Sequence, residues 1–124
     1  MAALLNLAAG SVAGGFSRYF LSQTISRFWG SQFPYGTLVV NLFGCLLIGF
    51  LSSVAGGRVA LSHQSRLLLM TGFCGAFTTF SAFMLETSDL TRGGHYLQAF
   101  LNIAVSIIAG FALFRLGVIL GDAF

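Results

Sequence analysis

Long apolar runs alternate with short polar connectors along the chain. The runs fall at about 4–25, 35–55, 67–88 and 96–118. Each matches the roughly 20 apolar residues that a helix needs to cross a bilayer core. Arg18 interrupts the first run, and the second holds no charge. The third is uncharged as far as Leu85 and meets an acid at Glu86; the fourth is uncharged to Phe114 and meets Arg115. Between them lie a stretch with the only proline, Pro34, a Gly-rich polar stretch from Gly56 to Arg66, and a turn with Asp89 and His95. The pattern predicts an all-α membrane protein, one domain over residues 1–124, with four transmembrane helices. The first run reads as a span rather than a cleaved leader, because no positive region precedes it and further runs follow.

Each run carries a polar or small-residue face. Gly10, Gly14 and Arg18 recur at four-residue spacing, and Gly10 to Gly14 is a GxxxG motif that lets helix backbones approach in lipid. An arginine one turn further on either snorkels to the interface or stands at the mouth of an anion path. Thr37, Asn41 and Cys45 form a stripe on the second run, with Gly44 beside it. Asn41 is either an interhelical tie or a donor to a ligand. Asn102, Ser106 and Gly110 repeat the pattern on the fourth run. Two such stripes suggest a polar seam through the bundle, as a permeation path requires. The third run is the least regular. Gly72, Gly75, Thr78, Thr79 and Ser81 are poor material for a continuous helix, so a mid-membrane break is predicted there. Broken helices offer free carbonyls to a cation and helix ends to an anion. Phe80 and Phe83 share a face if the second half is helical.

Composition narrows the classes. Apolar residues make up 56% and charged residues 7%, against roughly 25% charged in a soluble domain. That excludes a soluble enzyme, a disordered chain and a disulfide-stapled module. The six basic residues are all Arg and stand singly, so no nucleic-acid footprint exists. Arg58, Arg66 and Arg115 fall towards one face, and Arg18, Arg27 and Arg92 towards the other. The balance leaves the positive-inside rule without a preference, as insertion in both orientations would require. Cys45 and Cys74 form no CxxC and read as small buried apolar residues; His63 and His95 lie in connectors without a ligand cluster.

Three stretches resemble the Fluc/CrcB family of bacterial fluoride channels: Gly14-Gly-Phe-Ser-Arg18, Gly36-Thr-Leu-Val-Val-Asn-Leu-Phe-Gly44, and Thr71-Gly-Phe-Cys-Gly-Ala-Phe-Thr-Thr-Phe-Ser-Ala-Phe83 followed by Glu86. The third is the most specific, and the resemblance covers essentially the whole chain. It implies an antiparallel, dual-topology homodimer of four-span chains in the bacterial inner membrane, with two fluoride pores. It further implies a structural Na+ at the dimer centre, held by the main-chain carbonyls of Gly75 and Thr78. Asn41 matches the family's pore asparagine, Phe80 and Phe83 its pore phenylalanines, and Ser106 its polar track. Asn102 stands where some members carry a pore-facing Tyr.

The residue chemistry agrees with an anion path. Fluoride is small and tightly hydrated, so a pore must replace its water with donors. Asn41 offers an amide, and Thr37, Ser81 and Ser106 offer hydroxyls. The rings of Phe80 and Phe83 carry partial positive charge at their edges. The competing class is a small four-span proton-coupled multidrug transporter. That class needs a carboxylate on its first span, where this chain has Arg18. Gly75→Ala is expected to disturb a glycine-permitted unwound backbone and, with it, any dependence on sodium.

Overall fold

The structure, a computed structural model, describes residues 1–124. Helix α1 spans Ala2–Trp29 and ends at Gly30, whose φ of 85° no other residue type adopts cheaply. The chain then reaches Pro34, and α2 runs Tyr35–Gly56. After a polar loop, α3 covers His63–Arg66, with the Ser62 hydroxyl accepting from Ser65 N–H at 3.1 Å. A π-helical segment, Leu67–Cys74, follows without interruption and passes into α4, Gly75–Phe77. The helix stops at Thr78 and Thr79, which are extended. It restarts as α5, Phe80–Arg92. A turn through Gly94, at φ 79°, leads into α6, Tyr96–Asp122.

The third helical run is longer than the sequence pattern implies, extending from His63 to Arg92 with a two-residue gap. The break is also narrower. Gly72 lies in the π-helical segment, Gly75 is helical at φ −64° and ψ −33°, and Ser81 belongs to α5. Only Thr78 and Thr79 leave the helix, because their hydroxyls offer local bonds that compete with it.

The helical rods alternate in direction. Gly36 on α2 faces Ser22 and Ser26 on α1, and Thr87 on α5 faces Asn102 on α6. Rods of like direction pack closest. Gly10 and Gly14 of α1 lie against the backbone of Leu68 and Phe73; a Cβ at either would fall inside a carbonyl oxygen. Gly49 of α2 and Gly117 of α6 meet the Phe114 and Leu46 carbonyls in the same way. The GxxxG motif of α1 therefore grips the π-helical segment. At the far end of α2, Arg66 donates from Nη2 to the Ala55 carbonyl at 2.6 Å and from Nε to the Leu61 carbonyl at 3.3 Å. It closes the loop between the two rods.

Three helical runs are long and apolar enough to cross a membrane: Tyr35–Gly56, His63–Arg92 and Tyr96–Asp122, with mean hydropathies of 2.2, 1.6 and 2.4. At 1.5 Å per residue, α6 is about 40 Å long, more than the roughly 30 Å of a hydrocarbon core. Helix α1 has the length, 28 residues, but its second half is diluted by Arg18, Ser22, Gln23, Thr24 and Ser26. Only 18 of the 124 residues are buried, and Phe16, Phe20, Ile107, Ile108 and Phe111 all point outward. Such a surface is matched to an apolar surrounding rather than to water.

Candidate functional site

The site is built around the break. In a continuous helix the Gly75 carbonyl would accept from Thr79 N–H, and the Thr78 carbonyl from Ala82 N–H. Both donors are diverted. Thr79 N–H donates to Asn41 Oδ1 at 2.8 Å, and Ala82 N–H donates to Thr79 Oγ1 at 3.2 Å. Asn41 also returns a bond, its Nδ2 donating to the Thr79 carbonyl at 3.1 Å. The Thr78 hydroxyl donates back to the Cys74 carbonyl at 3.0 Å, capping the end of α4. Gly44, one turn from Asn41 on α2, has no side chain because the Thr78 methyl occupies that volume. Two residues of one α2 face thus hold the break, one by hydrogen bonds and one by shape.

Two grooves meet at Thr79. The first, of about 360 Å³, is lined by Asn41, Gly44, both cysteines, Gly75, Thr78 and Phe80 among others. The second, of about 490 Å³, brings Arg18 and Tyr19 of α1 to Thr37, Thr79 and Ser81. It collects one guanidinium and several hydroxyls and contains no carboxylate. Arg18 is half-buried, and the groove is where its face of α1 leads.

Other sequence-predicted residues are placed less simply. The Thr37 hydroxyl donates to Glu86 Oε1 at 2.6 Å, so its proton is engaged with a carboxylate rather than free for an anion. Glu86 Oε2 is buried without a partner. Phe80 and Phe83 are neighbours, their ring centroids 5.8 Å apart at 51°, but Phe80 is 73% exposed and Phe83 only 7%. Ser81 lies in the second groove, its Oγ 3.4 Å from Thr79 Oγ1. Ser106 Oγ is buried and unpartnered. The α6 stripe does not form one open seam: Asn102 is 1% exposed and bonded to Thr87, and Gly110 lies under Cys45.

The sequence reading missed the partners. The sequence pattern marks Glu86 as the end of a run and of the third matching stretch; the structure adds that it sits three residues past Phe83 on the same helical face and holds Thr37. Thr79 is weak helix material by its residue type, and in the structure its peptide is what Asn41 binds. The signal for a cap was present: Thr79 precedes a new apolar run, as a helix N-cap does.

An apolar helical bundle with an interrupted helix, polar groups converging on the gap and one cation beside it defines a membrane transport protein of the ion-channel kind. The chain belongs to the family described as CrcB-like protein, Camphor Resistance (CrcB), which it matches over residues 5–118. It is 42% identical over 117 residues to the "Fluoride-specific ion channel FluC" of Maridesulfovibrio salexigens, covering 94% of this chain and 93% of that one. The protein of the same name from Dehalococcoides mccartyi is 40% identical over 122 residues, or 98% and 94% of the two chains. That from Chlorobaculum tepidum is 45% identical over 117 residues, or 94% and 92%.

Proposed function

We propose that this chain is a fluoride-selective channel that lets cytoplasmic fluoride leave the cell down its electrochemical gradient. Fluoride enters acidified cells as neutral HF and is trapped as the anion, so a passive path suffices for export. The observation that carries this reading is the break at Thr78–Thr79, gripped by Asn41 beside a groove of hydroxyls and one arginine. The names of the relatives point the same way.

Each residue has a part consistent with that passage. Arg18 raises the local potential for an anion, and Ser81 and Tyr19 offer hydroxyl donors around the groove. One N–H of the Asn41 amide serves Thr79, which leaves the second for the anion. Phe80 lines the neighbouring groove and packs against Phe83, and the edges of the two rings carry the partial positive charge that an anion meets. Ser106 Oγ, buried and unpartnered, supplies a further donor. Thr37 lines the same groove as Arg18, with its hydroxyl proton donated to Glu86. No charged side chain grips the ion alone, which suits rapid passage over retention.

The assembly is read as a four-span chain, with α1 as the remaining span, inserted in both orientations and paired as an antiparallel homodimer in the bacterial inner membrane. The even Arg balance and the exposed apolar faces support it. A structural Na+ fits the break, since the Gly75 and Thr78 carbonyls both lose their helical donors and Gly75 borders open space. Two chains would bring four such carbonyls, a neutral oxygen shell suited to a hard cation. Bound there, the cation would favour anions nearby.

The test is efflux of fluoride from liposomes holding the purified protein, with chloride as control. Selective fluoride release is expected. Equal passage of the two halides would overturn the selectivity.

A further inference from the structure

Helix α5 is short and begins at a break, and polar bonds from α2 hold it at Thr79 and at Glu86. A further polar anchor reaches it from α6. Asn102 Nδ2 on α6 donates to Thr87 Oγ1 at 3.0 Å, and the Thr87 hydroxyl donates to the Phe83 carbonyl at 2.7 Å. The direction is consistent throughout, because a hydroxyl has one proton to give and lone pairs to receive. Bonds in such a chain polarise one another and are strongest out of water. Both residues are out of water: Asn102 is 1% exposed and Thr87 8%. The anchor ends on the residue whose ring packs against Phe80.

Asn102 differs from its neighbours on the same stripe. Gln98 Oε1 and Ser106 Oγ, one turn to either side, are buried without partners. Asn102 has its donor committed to Thr87 and almost no open surface. We propose that Asn102 is a positioning residue for ion passage: it sets the Phe83 ring through Thr87 and does not touch the ion. This rests on the fluoride-channel reading above. Replacing the hydroxyl of Thr87 must then do the same damage as removing the amide of Asn102, and doing both must add nothing.

The experiment compares the parent with Asn102→Leu, Thr87→Val, the double variant and Thr87→Ser. Fluoride efflux from liposomes is read beside the 19F resonance of 4-fluorophenylalanine placed at position 83, recorded without fluoride in solution. Each of Asn102→Leu and Thr87→Val should slow efflux about tenfold, as expected for one lost buried bond, and shift the resonance. The double variant should be no slower than the slower single one, the mark of a shared interaction. Thr87→Ser, which keeps the hydroxyl, should stay within about twofold of the parent. If either apolar variant fails to fold, Asn102→Ala or Thr87→Ala replaces it with the same expectation. Parent-like efflux in Thr87→Val with slow efflux in Asn102→Leu would mean that Asn102 meets the ion directly and would overturn the proposal. So would losses that multiply in the double variant. A parent that passes no fluoride sinks the channel reading alone; the relay then stands or falls on the resonance, and an unmoved signal in both single variants rejects it.

Discussion

The side-chain amide of Asn41 lies against the peptide of Thr79, accepting from its N–H at 2.8 Å and donating to its carbonyl at 3.1 Å. Thr79 is extended, with φ −149° and ψ 112°, so its N–H and carbonyl point sideways as in a strand. A primary amide matches that pair of groups as a neighbouring strand would. The result is an interrupted helix whose Thr79 peptide is satisfied from a different rod, as irregular backbone inside a membrane requires.

Asn41→Asp keeps the acceptor for Thr79 N–H and loses the donor to the Thr79 carbonyl. It also sets a negative charge beside the proposed fluoride path. Fluoride efflux should fall by about tenfold or more, and the thermal midpoint in detergent should drop in line with roughly 1–3 kcal/mol. Near-parent efflux despite the lowered midpoint would return Asn41 to a packing role.

Gly44 and Thr78 are complementary in shape, since a Cβ at position 44 would overlap the Thr78 methyl. Gly44→Ala alone should destabilise the fold by about 1–3 kcal/mol through overpacking. Thr78→Ser removes that methyl and keeps the hydroxyl bond to the Cys74 carbonyl. The double variant should therefore recover most of the lost stability and flux. Additive losses would show that the two sites do not share that space.

The rods and the break were legible in the sequence because both rest on local chemistry. Uncharged runs of sufficient length mark the helices, and glycines with hydroxyl residues at 72–81 mark a weak point. What the sequence withheld is pairwise. That Thr37 is held by Glu86, 49 positions away, depends on two rods lying side by side. That Asn102 is sealed in rather than lining an open seam depends on which way α5 is turned. Gly75 misled for a related reason: a glycine in a broken helix suggests unwinding, but the unwinding falls on two threonines whose side chains can replace helical bonds.

That correction changes what Gly75 variants should do. Its backbone is helical, and an added Cβ meets nothing within 4 Å in the chain. Gly75→Ala should fold as well as the parent or gain up to about 1 kcal/mol from helix propensity. Gly14→Ala should do the opposite, because its Cβ would strike the Phe73 carbonyl and part α1 from the π-helical segment. Gel filtration and thermal unfolding of the two proteins should rank them in that order. The reverse order would mean that α1 does not pack through Gly14.

The balanced arginines predict both orientations in one membrane. Reporters fused after Phe124 should give signal on both sides. Adding two Lys near Arg58 should drive the population to one side and reduce efflux, because an antiparallel pair needs both. Full efflux from a single-orientation population would reject the antiparallel pairing.

Sodium supplies the remaining test of the break. Neutral main-chain carbonyls hold a hard cation only when several converge at short range. One chain can offer those of Gly75 and Thr78, whose helical donors go instead to Asn41 and Thr79. Extended dialysis against N-methylglucamine, followed by efflux in sodium-free solution, should slow fluoride release, and returning sodium should restore it. Because the proposed ligands are backbone atoms, Gly75→Ala should retain this sodium response. Asn41→Leu should weaken it: without the amide, Thr79 N–H is free to fall back on the Gly75 carbonyl and remove a ligand. Efflux that is indifferent to sodium in the parent would take the cation out of the mechanism. A sodium response that survives Asn41→Leu undiminished would show that the Asn41 clamp does not keep the carbonyl available.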